Sequence, residues 1–171
     1  MTSAIRAIPR RVRLAAPVLL ACALACEPEG RRPGLWLRGE PVHTAISDWS
    51  FSDGFREIAV ETRTWYLLPH SVTTACAASG GRLYVPSVYG SDAQYPDARF
   101  WNRNVARDPR VRVKIGDRVY DRNAVLVTDP DERTAALAAF ARKYPFWTEL
   151  LAKPEAERGT IVLLRMDDPS A

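Results

Sequence analysis

Basic and hydroxyl side chains gather between residues 87 and 103. Hydroxyls, backbone N–H groups and guanidinium groups are the donors that hold a phosphate, because its two negative charges favour charge-assisted hydrogen bonds. The arginine spacing is also typical of a solvated helix face, so the pattern leaves both interpretations open. The residues concerned are Ser87, Tyr89, Gly90 and Ser91 in a short loop, and Arg99 and Arg103 one turn apart on the next element.

Other kinds of chemistry find little support in the sequence. No side chain stands in a pattern that indicates a general acid, a general base or a nucleophile. The three cysteines and two histidines are scattered without the spacing of zinc ligands, which argues against a structural or catalytic zinc site.

Net charge does not point to an acidic partner. The 24 Lys and Arg residues exceed the 20 Asp and Glu residues by four, and four arginines before residue 14 account for that excess. The remainder is balanced, which argues against a nucleic-acid binder. With 171 residues, of which 47% are hydrophobic, the chain suits one domain with an ordinary core.

The first 26 residues resemble an export signal. Arginines precede a run of apolar and small residues that is too short to cross a bilayer core of about 30 Å. Cys22 and Cys26 both resemble the cysteine of a bacterial lipobox, and we expect lipidation at Cys26, where the apolar run ends. Residues 27–47 predict a tether and residues 48–171 the folded domain. The expected location is the bacterial cell envelope; secretion with cleavage after Ala25 is the alternative.

Alternating and β-branched stretches predict about six strands. Gly80 and Gly81 mark one hairpin turn, and Gly116 with Asp117 marks another. Pro86 places its strand at an edge or a bulge, whereas the last strand is apolar on both faces and is expected to be internal. The predicted strands cover residues 56–63, 70–78, 82–88, 111–115, 118–128 and 160–166.

Two main helices accompany the strands. The first is predicted over residues 96–107, because Pro96 suits a first helical position and Trp101 and Val105 belong to an apolar stripe. The second begins at residues 129–132, where the cap, proline and third-position acid of a helix start follow one another. The predicted fold class is therefore mainly β, of the α+β type.

Five short strings occur in a characteristic order. They are Pro-His-Ser-Val-Thr at 69–73, Gly-Gly-Arg-Leu-Tyr-Val at 80–85, Arg-Phe-Trp-Asn-Arg-Asn-Val at 99–105, Asp-Pro-Arg-Val-Arg-Val at 108–113 and Asp-Pro-Asp-Glu at 129–132. In this order, over residues 55–165, the chain resembles the pyridoxamine 5'-phosphate oxidase-like split β-barrel superfamily, with the deazaflavin-dependent nitroreductases as relatives.

The resemblance implies a split β-barrel of about six antiparallel strands with two main helices, which binds a flavin between the subunits of a homodimer. It implies FMN as the cofactor, with a deazaflavin coenzyme as the alternative. By position, it carries phosphate binding to Ser87, Arg99 and Arg103, beside the loop that holds Tyr89.

Three more residues are candidates for contact with the flavin ring. Trp101 could stack on the ring, although its place in an apolar stripe favours core packing. His70 could hydrogen-bond the flavin or shuttle a proton, but a lone histidine at the start of a strand is typical of a surface or turn residue. Thr73 could contact the ring edge.

These expectations predict a cell-envelope lipoprotein whose flavin-binding barrel acts as an FMN- or deazaflavin-dependent oxidoreductase on a small molecule. A non-enzymatic lipoprotein with the same barrel, acting as a binding or assembly module, is the alternative, because a fold does not determine a function. A haem-binding variant of the barrel is a more distant possibility.

Overall fold

The computed structural model describes residues 34–90, 93–97 and 99–169, which belong to one compact unit. The predicted export signal and Cys26 lie outside these residues. No helix within the described ranges is long and apolar enough to cross a membrane. The strands are β1 (Glu40–Val42), β2 (Ile58–Arg63), β3 (Pro69–Thr74), β4 (Ala77–Ser79), β5 (Arg82–Tyr89), β6 (Arg110–Ile115), β7 (Arg118–Leu126) and β8 (Thr160–Asp167). The α-helices are α1 (Phe100–Arg107), α2 (Pro130–Lys143), α3 (Pro145–Ala152) and α4 (Glu155–Arg158), and a 3₁₀ turn covers Ser50–Gly54.

The strands form one sheet in the order β3-β2-β6-β7-β8-β5-β4, and every neighbouring pair on this path is antiparallel. Strands β3 and β4 stand at opposite ends of that order, yet only Ala75 and Cys76 separate them in the chain. The sheet must therefore curve until its two edges meet at this two-residue connection, which we call the seam. The predicted α+β fold with an antiparallel barrel is confirmed.

The barrel core is filled by the inward-facing side chains of strands whose residues alternate between buried and more exposed positions. Val111, Val113 and Ile115 of β6 are buried, while the residues between them are only partly so. Strand β8 is buried on both faces from Ile161 to Leu164, and it lies between β7 and β5 as predicted. Both faces of β8 are buried because the barrel core covers one face, at Leu164, and helices α2 and α3 cover the other, at Ile161 and Leu163.

Pro86 occupies the edge position that its missing N–H requires. Strand β5 pairs with β4 only through its first three residues, Arg82, Leu83 and Tyr84. The pairing of β5 with β8 continues from Tyr84 to Tyr89, whereas the pairing with β4 ends at Tyr84. On the side of β5 that faces away from β8, Pro86 therefore has no partner strand that would need its missing N–H.

The start of α2 follows the predicted signal in one respect and departs from it in another. The Asp129 carboxylate accepts a hydrogen bond from the Glu132 backbone N–H at 2.7 Å, which confirms the predicted cap. The Glu132 side chain does not return to the cap. It binds Arg165 of β8 and Tyr84 of β5 instead, and so joins the helix to the sheet.

Several predicted boundaries were wrong. The helix predicted from residue 96 begins only at Phe100, because the Asp97 N–H bonds to the Gln94 carbonyl in a preceding turn. The strand predicted over residues 70–78 divides at the seam into β3 and β4. Helices α3 and α4 were not predicted.

The predicted tether does not extend to residue 47. Leu37 is buried and its N–H donates to the Glu61 carboxylate, and β1 pairs in parallel with the start of β7. Gly39 permits this approach, because a Cβ at that position would lie 2.5 Å from the Asp117 carbonyl oxygen. The domain therefore includes the described residues before position 48.

Candidate functional site

A pocket of about 530 Å³ opens beside the seam. Its walls come from β3, from the end of β5, from the start of α1 and from the junction of α2 with α3. This size lies within the range of small-molecule and cofactor sites. The lining residues are Arg56, Glu57, Val72, Thr73, Thr74, Ala75, Pro86, Ser87, Val88, Arg99, Trp101, Tyr144, Phe146 and Trp147.

Four of the residues singled out from the sequence meet at this pocket: Thr73, Ser87, Arg99 and Trp101. Thr73 is half-buried on β3, and Ser87 is buried near the end of β5. Because the curved sheet brings β3 and β5 to the same side of the seam, residues that lie 14 positions apart (87 minus 73) share one cavity.

Arg99 is the best-placed cationic group of the pocket. It occupies the cap position of α1 in extended conformation, and its Nε and Nη2 atoms donate to the Val88 carbonyl oxygen at 3.3 and 2.8 Å. This forked contact uses two of the five N–H donors of the guanidinium and fixes it over the end of β5. The group is exposed, so it can meet an anionic ligand without a large desolvation cost.

Asn102 holds the two elements of this wall together. Its side chain is fully buried, and its Nδ2 atom donates to Ser87 Oγ at 3.1 Å and to the Tyr89 hydroxyl. Its Oδ1 atom is buried without a hydrogen-bond partner in the described part of the chain. Tyr89 is therefore tied to α1 and does not line the pocket. Sequence reasoning missed this contact, because an asparagine within an arginine-rich helix suggests exposure.

His70 and Arg103 do not line the pocket, and both contact the Phe100 ring. The His70 ring meets the Phe100 ring edge to face at 5.0 Å, and the Arg103 guanidinium lies 5.7 Å from the centre of the same ring. Burial lowers the pKa of His70, so its imidazole is neutral at pH 7. Neither residue lines the pocket, and the phosphate role proposed for Arg103 remains a prediction.

Trp101 packs in the core, as its place in an apolar stripe indicates, and its contact with a flavin ring stays a prediction. It is only 6% exposed and belongs to the main hydrophobic core together with Val105. It also lines the pocket, as do Phe146 and Trp147. The core contacts hold its ring in place, so a planar ligand in the pocket would meet a fixed surface.

The seam itself is closed by the end of α2. The Tyr144 hydroxyl accepts from the Cys76 N–H at 3.2 Å and lies 2.8 Å from the Cys76 carbonyl oxygen, and Lys143 Nζ lies 2.8 Å from the same oxygen. Burial raises the pKa of the Tyr144 hydroxyl, so it stays protonated at neutral pH. Tyr144 lines the pocket but was not predicted as a site residue, because no local pattern indicates that α2 ends against the seam.

No set of three or more His, Cys, Asp or Glu side chains is placed to hold a metal ion within the described ranges. The lining residues with donor groups include Arg56 and Arg99, with their guanidinium groups, and the hydroxyl residues Thr73, Thr74, Ser87 and Tyr144. This set suits an anionic organic molecule better than a cation.

Most of the residues that line the pocket fall within the part of the chain that matches a known family. The model of a family described as F420H(2)-dependent quinone reductase matches residues 70–160, which include all seven candidate binding residues. A search of curated protein sequences found no match.

Solved structures share the fold at low sequence identity. A structure described as a domain-swapped dimer is 22% identical, covers 66% of this chain and 81% of its own, and has a TM-score of 0.53. An F420-H2 dependent reductase (FDR-A) is also 22% identical, with 66% and 95% covered and a TM-score of 0.50. HutZ, the haem storage protein of Vibrio cholerae, is 12% identical, with 71% and 87% covered and a TM-score of 0.51. The resemblance to split-barrel proteins is confirmed.

Proposed function

Because the chain belongs to the F420H(2)-dependent quinone reductase family, we propose that it is a deazaflavin-dependent oxidoreductase that reduces a quinone-like acceptor. The observation that carries this proposal is the pocket beside the seam, most of whose lining lies within the range that the family model matches. Of the two cofactors considered from the sequence, the family favours the deazaflavin coenzyme over FMN.

The pocket fits a molecule with a planar ring and an anionic tail. Trp101, Phe146 and Trp147 offer aromatic surface for the ring. Arg99 and Arg56 line the pocket together with Glu57, so its charged side chains carry a net charge of about +1. The volume of about 530 Å³ admits the ring system, and the open rim leaves the tail in contact with solvent.

The protein's own residues bind and orient in this proposal. Reduced deazaflavin supplies a hydride when bound, and a quinone gains that hydride and a proton to become the quinol. Arg99 would bind the anionic tail of the coenzyme. The Asn102 side chain holds α1 against β5. The Tyr144 hydroxyl lies 2.8–2.9 Å from the carbonyl oxygens of Cys76 and Arg56, so we assign it to holding the wall and not to proton transfer.

A binding and turnover experiment tests the proposal. Oxidised F420 is titrated against the protein with fluorescence quenching as the readout, and FMN is titrated in parallel. We expect saturable quenching of F420 and weaker binding of FMN. Reduced F420 is then mixed with a water-soluble quinone, and its oxidation is followed by absorbance. Absence of F420 binding would favour the non-enzymatic binding module, and binding without quinone reduction would contradict the assigned acceptor class.

The proposed location is the bacterial cell envelope, with a lipid anchor at Cys26. The lipobox-like string before Cys26 supports it. We expect Cys26→Ala to abolish metabolic labelling with a radioactive fatty acid and release the protein from membranes, and Cys22→Ala to leave both almost unchanged. The opposite pattern would move the processing site to Cys22, and labelling of neither wild type nor variant would indicate a secreted or periplasmic protein.

The proposed assembly is a homodimer. A structure with the same fold is described as a domain-swapped dimer, which supports this proposal.

A further inference from the structure

The turn between β2 and β3 exposes four consecutive apolar side chains. Trp65 and Leu67 are about three-quarters exposed, at 73% and 77%, and Tyr66 and Leu68 are about half exposed. Leu35 and Trp36, which are 52% and 58% exposed, lie beside the strand that follows the turn. We call residues 65–68 with Leu35 and Trp36 the aromatic tip. A contiguous exposed apolar patch with polar residues around it marks an interaction site.

The turn is fixed in this outward arrangement. The Leu67 N–H donates to the Thr64 carbonyl at 3.1 Å, and the Thr64 N–H donates to the Leu68 carbonyl at 3.2 Å. The Trp65 and Tyr66 rings meet edge to face at 5.2 Å. Leu67 has a φ of 66°, a conformation that favours glycine and is costly for a branched side chain. The chain therefore presents a leucine at the end of the turn despite a conformational cost.

The two parts of the aromatic tip form one surface. The N–H and Oγ of Ser71, on β3, hydrogen-bond the carbonyl oxygens of Gly34 and Leu35. A groove of about 450 Å³ runs between Trp36 and Leu67, and both side chains line it. The segment before β1 is thus held against the hairpin, and its exposed side chains extend the same patch.

Positive charge surrounds the base of the aromatic tip. Arg63 and Arg110 have half or more of their side chains exposed, and Arg107 donates to the Arg63 carbonyl oxygen. Asp108 pairs with both Arg63 and Arg110, at 3.7 and 2.8 Å, so one acid faces these three arginines.

The groove floor adds little net charge to this surface. Glu61 and Asp121 lie there with Arg112 between them, at 3.4 and 3.7 Å. Arg103, one turn before Arg107 on α1, continues the positive row. The described residues of this surface therefore carry a net positive charge.

We propose that the aromatic tip docks on the surface of an anionic lipid bilayer. Trp and Tyr side chains prefer the headgroup region, leucines add apolar area below it, and arginines at the rim bind lipid phosphates. A second copy of this chain is a poorer occupant, because a symmetric contact would bring the arginines around the aromatic tip of one copy against the same arginines of the other. The inference does not rest on the proposed reaction.

The predicted lipid anchor is consistent with this orientation. Gly34 follows Cys26 by eight residues, which span at most about 28 Å. The Gly34 carbonyl accepts a hydrogen bond from the Ser71 N–H of β3, close to the turn. An anchor at Cys26 would therefore keep the aromatic tip near the bilayer.

A depth-sensitive label on the full chain tests the proposal. Cys22 and Cys26 are replaced by serine, and the remaining Cys76 is fully buried and should not react. Leu67→Cys carries the fluorophore NBD, with Glu149→Cys on α3 as the exposed control. With vesicles of phosphatidylcholine and phosphatidylglycerol, we expect the emission at position 67 to shift to the blue and rise at least about twofold, and that at position 149 to stay unchanged.

The role of charge has its own control. Vesicles of phosphatidylcholine alone should give little response, and Arg103→Gln with Arg107→Gln should weaken the response to anionic vesicles by about fivefold for each arginine. An unchanged label at position 67, or equal changes at 67 and 149, would overturn the proposal. A change that depends on protein concentration without vesicles would identify a second copy as the occupant. Tyr66→Cys provides a second label position if Leu67→Cys does not fold.

Discussion

Removing Arg99 and Arg103 together should weaken the binding of oxidised F420 by at least about a hundredfold, because a charge-assisted hydrogen bond to an anionic group contributes about 1.5–3 kcal/mol. We expect Arg99→Ala alone to weaken binding by about 10- to 150-fold and Arg103→Ala to have the smaller effect, since Arg99 lines the pocket and Arg103 does not. Fluorescence titration of the single and double variants separates the two contributions. Circular dichroism should show an unchanged fold, because both side chains are exposed.

Arg107→Ala is the matched control for this experiment. It lies one turn beyond Arg103 on the same helix and contacts the Arg63 carbonyl oxygen, outside the pocket. Its affinity for F420 should stay within about twofold of wild type, as expected for a distant exposed charge. If Arg107→Ala lost as much affinity as Arg99→Ala, the arginines would act through a general positive field, and the assignment of Arg99 to the tail would be wrong.

Glu132→Ala should lower the free energy of unfolding by about 2–3 kcal/mol, the largest effect on stability that we expect from a polar residue here. The Glu132 carboxylate accepts from Arg165 Nη1 at 2.8 and 2.9 Å and from the Tyr84 hydroxyl at 2.8 Å. Its loss leaves two mostly buried donors without this acceptor and removes the polar contact of α2 with β5 and β8, while the apolar contacts of Phe140 remain. Urea denaturation at pH 7 measures the effect, with exposed Asp131→Ala, one position earlier, as the control.

The pH dependence gives this prediction a second readout. Burial acts to raise the pKa of Glu132, but hydrogen bonds from Arg165, Tyr84 and Arg82 outweigh it and hold the pKa below its ordinary value of 4.5. A carboxyl with a lowered pKa stabilises the fold fully above its ordinary pKa, and this stabilisation is lost as the pH falls through the folded-state value. The difference between wild type and Glu132→Ala should therefore shrink below about pH 4. A constant difference down to pH 2 would show that packing, not charge, is responsible.

The parts of the fold that the sequence predicted are those that a local pattern determines. Strand β6 followed from alternation, β8 from continuous apolar character, and the start of α2 from the Asp129 cap. Strand β1 has only three residues and gains its structure by pairing with β7, so no periodic pattern marks it. Helix α3 did carry a signal that was overlooked, since Pro145 stands at its first position and Trp147 and Leu150 share its buried side.

Of the seven residues that the sequence proposed for cofactor binding, four line the pocket, and their binding roles stay predictions. Thr73, Ser87, Arg99 and Trp101 line one pocket, as a shared role requires. The contacts that hold them come from residues far along the chain. Tyr144 reaches Cys76 across 68 positions (144 minus 76), and such a pairing leaves no trace in the local sequence. The buried Asn102 was missed for a similar reason, because its partners lie on β5.

The position of β8 sets the moment during synthesis at which the pocket can exist. Ser87 pairs with Val162, 75 positions later (162 minus 87), and β8 is also the strand that joins β5 to β7. A nascent chain that has emerged only as far as α2 lacks the strand that holds this wall, and pairings between such distant segments form slowly. A chain that ends before β8 would therefore lack the partner strand of this pocket wall, although it would keep its first hairpin. The pocket can form only after β8 has been synthesised.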